Sequence, residues 1–229
     1  MLWLRSERFC LSGTPCTIHC MNDAKIVRKR EEGERKTIPD GEPRIVAEGR
    51  LGAIVEYPML VDQGHGYEER VYENFVRPPG TRIIALRENT IYLQKEYRSE
   101  VKEFDWRLPG GKVLDSFSEY KKYIGKEVLE DLIIEAGRRE LREEAKLEAK
   151  SVELFKKSSC GASVIWDLYY LIAKDLTEVI HDHDEGEEII EGKWLTYDEV
   201  LTMIRKGEIG EDRTVAALLQ FIASQESTG

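Results

Sequence analysis

Three observations predict an α+β fold. Short β-rich runs joined by glycine-containing turns fill residues 44–76, a hairpin pattern occupies 82–97, and a long helical pattern over 126–146 is followed by more strands and two C-terminal helical regions. Strand runs of this length with turn residues between them suggest antiparallel pairing, and the helices must cover what the strands leave apolar.

Composition narrows the class of function. A chain of 229 residues holds one substantial domain with or without a small appendage, and 41% hydrophobic with 34% charged residues describes a soluble globular protein. The net charge of −10 argues against a broad footprint on nucleic acid, which requires clustered Lys and Arg. A phosphate-bearing small molecule fits if metal ions bridge it to an acidic site. Cys10, Cys16, Cys20 and Cys160 form no CxxC pair, so no zinc knuckle is expected despite His19, and the pattern suits a reducing cytoplasm. No run approaches a membrane span, and Arg5, Glu7 and Arg8 break the opening stretch too early for a secretory signal. Residues 1–20 read as a weakly ordered extension, with Met21 as an alternative start.

Residues 25–43 are almost wholly polar and are expected to form a solvated lead-in, so structure should begin near Arg44. Strands are predicted over 44–48, 51–61 and 69–76, the last two separated by the loop Asp62-Gln63-Gly64-His65-Gly66, in which His65 reads as exposed. Arg77-Pro78-Pro79-Gly80 marks a boundary. Strands at 82–86 and 91–97 make a hairpin about Arg87-Glu88-Asn89-Thr90, and an extended segment at 105–108 leads into Pro109-Gly110-Gly111, whose glycines permit a tight turn and close approach of a ligand. Asp115 or Ser116 caps a short helix over 117–123, which Gly125 interrupts. In the helix over 126–146, Val128, Leu132, Ala136 and Leu141 form the expected buried stripe, with the charges elsewhere. Strands follow at 151–155 and 162–173, then the acidic segment 181–188, the run Gly192-Lys193-Trp194-Leu195, and helices at 197–205 and from 212 to about 224. Trp106 and Trp166 read as core residues.

The run Arg139-Glu140-Leu141-Arg142-Glu143-Glu144 carries the chemistry. Glu140, Glu143 and Glu144 sit at i, i+3 and i+4 on a helix and share one face. Three like charges this close repel one another, so a fold that keeps them together calls for a cation, and a hard, oxygen-seeking divalent ion such as Mg²⁺ fits. The plain alternative is a solvated charged face.

With the glycine turn, the helix and its carboxylates in this order, the chain resembles the Nudix hydrolase family. The family motif is a glycine, five residues, a glutamate, seven residues, then Arg-Glu-aliphatic-x-Glu-Glu-x-Gly-aliphatic. Gly111, Arg139, Glu140, Leu141, Glu143, Glu144 and Leu147 match it. Asp131 replaces the first glutamate, Lys146 replaces the second glycine, and nineteen residues separate Gly111 from Asp131, an insertion of about fourteen. The resemblance extends over residues 44–223. Leu93-Gln94-Lys95-Glu96-Tyr97-Arg98 is similar to the Gln-Tyr-Arg element of ADP-ribose and related nucleotide-sugar pyrophosphatases, with Glu96 in place of Gln. Glu187-Glu188-Ile189-Ile190-Glu191 ahead of Trp194, and Ile209 followed by Asp212 and Thr214, are similar to the same branch. Trp106-Arg107-Leu108-Pro109-Gly110-Gly111 is nearer the general family form, with Arg107 where that branch often has glutamate.

The resemblance implies an α/β/α sandwich with a mixed sheet, preceded by a small antiparallel sheet used for dimerisation. It divides the chain into an extension at 1–43, a β domain at 44–80 and a Nudix domain at 81–229 with an insertion at about 115–130. The implied ligands of Mg²⁺, or Mn²⁺ in its place, are Glu140, Glu143, Glu144 and the Gly110 carbonyl. Arg139 is implied to orient Glu140 or Glu143, and Glu185, Glu187 or Glu188 to supply the general base, with no choice among the three. Tyr97, Arg98, Arg107 and Gly111 are implied to meet the substrate. The reaction implied is hydrolysis of a diphosphate in ADP-ribose or a related nucleoside diphosphate sugar by a cytoplasmic homodimer. The alternatives are a nucleoside triphosphate or dinucleoside polyphosphate hydrolase, and a non-catalytic module that senses a nucleotide sugar.

Overall fold

The structure, a computed structural model, describes residues 26–99, 101–180 and 189–226. The three N-terminal cysteines, His19, Met21 and the acidic segment with Glu185, Glu187 and Glu188 lie outside the described residues. The chain divides into two compact units, one of residues up to Glu42 with Tyr57–Tyr72, the other of Pro43–Glu56 with Glu73–Gly229.

In the first unit, β1 (Ile26–Arg28) pairs antiparallel with β5 (Tyr67–Val76), and β2 (Thr37–Pro39) pairs antiparallel with β4 (Ala53–Asp62). Both short strands fall in the stretch expected to be an unstructured lead-in. Val27, Thr37 and Ile38 are β-branched residues set among charges, and the longer strands supply the backbone partners that a polar stretch lacks by itself. Arg28 adds an ion pair to Glu34 at 2.8 Å and lies 4.6 Å above the ring of buried Tyr67.

In the second unit, β3 (Arg44–Glu48) pairs antiparallel with the start of β4, and the two-residue β10 (Val164–Ile165) joins the end of β5 in parallel. The main sheet has the order β12-β7-β6-β11-β9, with β8 added to β7. Its strands are β6 (Gly80–Arg87), β7 (Thr90–Arg98), β8 (Glu103–Arg107), β9 (Leu147–Ser158), β11 (Leu168–Glu178) and β12 (Ile189–Thr196). The pairing of β6 with β11 is parallel and the other pairings are antiparallel, so the sheet is mixed. The run expected as one strand at 162–173 is therefore two, because Trp166 and Asp167 separate β10 from β11 and the pieces serve different sheets.

Alternation along β6 sets the two layers of core. Ile84 packs with Val200, Met203, Leu218 and Phe221 of α3 (Tyr197–Lys206) and α4 (Asp212–Glu226), whereas Ile83 and Ala85 pack with Leu141 and Ala145 of α2 (Glu130–Ala145). An α/β/α sandwich results. Among the described residues no helix is long and apolar enough to cross a membrane.

The insertion forms α1 (Phe117–Tyr120), capped by Ser116 and continued by one 3-10 turn to Tyr123. Helix α2 starts at Glu130, four residues later than expected. Leu132 is 37% exposed, and the buried face is Ile133, Ala136, Gly137, Glu140, Leu141, Glu144 and Ala145. The expected stripe is thus corrected: two carboxylates share the face that packs inward. Gly137 permits this approach, since a Cβ there would lie 2.2 Å from Leu171 Cδ1 of β11.

Lys146 ends α2 in the left-handed region, at φ 57° and ψ 35°. The helix stops where a glycine would stop it, with a side chain that disfavours that conformation. Lys146→Gly is expected to raise stability by about 1 kcal/mol despite losing the Nζ bond to the Glu143 carbonyl, a gain readable in urea unfolding.

Candidate active site

The start of β6 holds the glycine turn in place. Thr81 N–H donates to the Gly111 carbonyl at 2.8 Å and Ile83 N–H to the Pro109 carbonyl at 2.8 Å. Gly110 has φ 150°, and a Cβ on it would lie 2.2 Å from the Thr81 carbonyl oxygen. The glycine is thus required by both conformation and closeness.

Helix α2 brings its buried carboxylates to this turn. Glu144, 7% exposed, accepts through Oε2 from the Gly110 N–H at 2.8 Å and from Gln94 Nε2 at 2.7 Å. Glu140, 8% exposed, lies against Gly111, where a Cβ would come within 2.5 Å of its Oε2. Gly111→Ala is therefore expected to displace the Glu140 carboxylate and lower activity about 10- to 100-fold with little loss of stability, checked by kinetics beside a melting curve. Arg139 donates to Glu140 Oε1 at 3.1 Å and to the Lys112 carbonyl at 2.9 Å, and lies 3.8 Å from Glu143 and 3.6 Å from Asp115. Burial works against the Arg139 charge, but Glu140, Asp115 and Glu143 outweigh it and raise its pKa.

The oxygen-only donor set of Glu140, Glu143, Glu144 and the Gly110 carbonyl has the chemistry of a hard-cation site. Among the described residues, no group of three His, Cys, Asp or Glu side chains is already gathered for a metal ion. Glu140 and Glu144 meet the glycine turn, Glu143 pairs with Arg139, and the Gly110 carbonyl accepts from Arg82 Nη1 at 3.2 Å.

Sequence reasoning missed four residues beside this turn. Arg82, 8% exposed, makes a two-pronged ion pair with Glu211 at 2.9 and 3.1 Å, and Thr214 Oγ1 donates to Glu211 at 2.6 Å. Burial alone would raise the Glu211 carboxyl. The Arg82 charge and hydrogen bond outweigh it, with Thr214 and Arg107 adding, and hold it at about 2. The signal for Arg82 was a charge inside the apolar run Ile83-Ile84-Ala85-Leu86. Gln94, 1% exposed with Oε1 unpaired, and Arg77 are the others.

Of the residues implied to meet the substrate, Arg98, Arg107 and Gly111 line a cleft of about 420 Å³ together with Arg77, Arg82, Lys112, Glu144 and Trp166. Arg98 donates to Glu96 at 2.8 Å, and Arg107 lies 3.3 Å from Glu211 and 3.5 Å from Asp105. Tyr97 packs edge-on against Phe104 at 5.1 Å and is not among the lining residues. Trp106 is buried, whereas Trp166 packs partly against the core and also walls the cleft.

The NUDIX domain family matches residues 76–218. No curated protein matches the chain. A crystal structure of an ADP compounds hydrolase is similar over 87% of this chain and 99% of that one, at 21% identity and a TM-score of 0.62, a likeness of fold. The family match takes in more than half of the chain, including the glycine turn and all of α2, so the chain belongs to the NUDIX domain family.

Proposed function

We propose that the protein hydrolyses the diphosphate bond of ADP-ribose or a related nucleoside diphosphate sugar, releasing a nucleoside monophosphate and a sugar phosphate. The observation that carries the reading is the pair of buried carboxylates, Glu140 and Glu144, set against a glycine turn that, with Glu144, lines a cleft shared with Arg77, Arg82, Arg98, Arg107 and Lys112. A polyanion suits such walls. The solved ADP compounds hydrolase of similar fold supports this substrate class.

Glu140, Glu143, Glu144 and the Gly110 carbonyl would hold Mg²⁺, with Mn²⁺ as a substitute. Bound there, a divalent ion would supply charge neutralisation for the phosphate oxygens and a more acidic water. Gln94 and the Gly110 N–H fix the direction of the Glu144 carboxylate, and Arg139 fixes that of Glu140. The general base comes from Glu185, Glu187 or Glu188. Arg98 and Arg107 border the substrate through a network with Glu96, Asp105 and Glu211.

A panel of ADP-ribose, sugar nucleotides, dinucleoside polyphosphates and nucleoside triphosphates with Mg²⁺ tests the reading. ADP-ribose or a sugar nucleotide should give the highest kcat/KM, and a preference for triphosphates would overturn it. The β-rich N-terminal region, with Val71 and Tyr72 exposed on β5, is proposed to pair two copies of the chain. Sedimentation should give twice the chain mass.

A further inference from the structure

Two guanidinium groups lie over Trp166, Arg77 at 4.1 Å from the ring centroid and Arg213 at 5.0 Å. They are not equivalent. Arg213 donates to Ser158 Oγ at 3.2 Å and to the Trp166 carbonyl at 3.0 Å, which makes it a brace between α4 and the strand ends. The Arg77 side chain has no ion pair or hydrogen bond among the described residues; its Nε is buried without a partner, as are Arg107 Nε and Arg213 Nη1, but those two side chains have other partners. Burial lowers its pKa, Cys160 works against that, and nearby Arg82 adds a smaller lowering. Arg77 is half-buried, so its head group still reaches the cleft, and the buried Nε is a donor that an arriving anion would meet.

Its position is fixed in advance. Arg77 N–H donates to the Ile165 carbonyl at 3.1 Å, Pro78 and Pro79 stiffen the backbone after it, and the Trp166 ring holds the head group. The other arginines of the cleft have carboxylate partners: Arg82 and Arg107 pair with Glu211, and Arg98 with Glu96.

We propose that Arg77, stacked on Trp166 in the wall of the cleft, grips the phosphate oxygens of the substrate and so determines specificity for a diphosphate. The inference rests on the proposed function and adds a residue to it. A planar fork that stacks on an aromatic ring and can bond two oxygens at once suits this task better than a lysine ammonium, which meets phosphate as a point charge.

Steady-state kinetics with ADP-ribose and Mg²⁺, beside metal-free calorimetric titration with ADP, test it. Arg77→Gln is expected to raise KM and weaken ADP binding about 10- to 100-fold while kcat changes less than about threefold. Arg77→Lys, which keeps charge and bulk should the first variant unfold, is expected to recover little of the affinity. Unchanged KM and ADP affinity in a folded variant would overturn the inference, and loss of turnover in Glu144→Gln alongside would leave the hydrolase reading intact. A wild-type protein that cleaves none of the panel, yet binds ADP through Arg77, would sink the hydrolase reading and keep the clamp.

Discussion

Glu144→Gln is expected to lower turnover by roughly two to four orders of magnitude while leaving the fold almost as stable as before. The reason lies in what surrounds the carboxylate. Its Oε2 accepts from both the Gly110 N–H and Gln94 Nε2, and an amide oxygen in that place can keep both bonds. These two hydrogen bonds are therefore conserved and the negative charge is lost. Melting curves should shift by a few degrees at most, so a collapse of kcat reports on charge rather than on folding. Wild-type turnover in this variant would remove Glu144 from the mechanism.

Glu211→Gln should have the largest effect on stability, about 3–5 kcal/mol, because it strands the Arg82 guanidinium in a site where that residue is 8% exposed. The carboxyl is held at about 2 against an ordinary value of 4.5. A lowered pKa in the folded state means that the carboxylate stabilises the fold fully above 4.5 and loses its contribution as the pH falls toward 2. Urea unfolding at pH 7 and pH 3 measures both effects. The wild type should lose much of its advantage over the variant at pH 3, and an equal gap at the two pH values would show that Glu211 does not titrate in this range.

What the sequence revealed and what it hid follow from the range of the interactions. Local signals were legible: β3 occupies 44–48 as expected, Ser116 caps the short helix, and Gly110-Gly111 makes the turn that α2 faces. Errors arose where the partner lies far away in the chain. The strands β1 and β2 exist because β5 and β4 pair with them, and no polar stretch announces such partners. The stripe on α2 was misread because it was counted from apolar residues alone, whereas Glu140 and Glu144 replace apolar side chains on the inward face. Arg82 and Glu211 are 129 residues apart in sequence and their pairing gave no local sign beyond one charge in an apolar strand. Arg77 reads locally as part of a proline boundary, whereas its stacking partner Trp166 is distant in the chain. Lys146 shows the converse, since the helix obeys the family's stop without the family's glycine.

Glu140 and Glu144 are expected to take up a divalent cation at the glycine turn. Anomalous diffraction from crystals grown with Mn²⁺ and a slowly cleaved ADP-ribose analogue measures this directly. The predicted result is a strong peak bounded by those two carboxylates with the diphosphate beside it. A peak elsewhere, with both side chains unliganded, would contradict it.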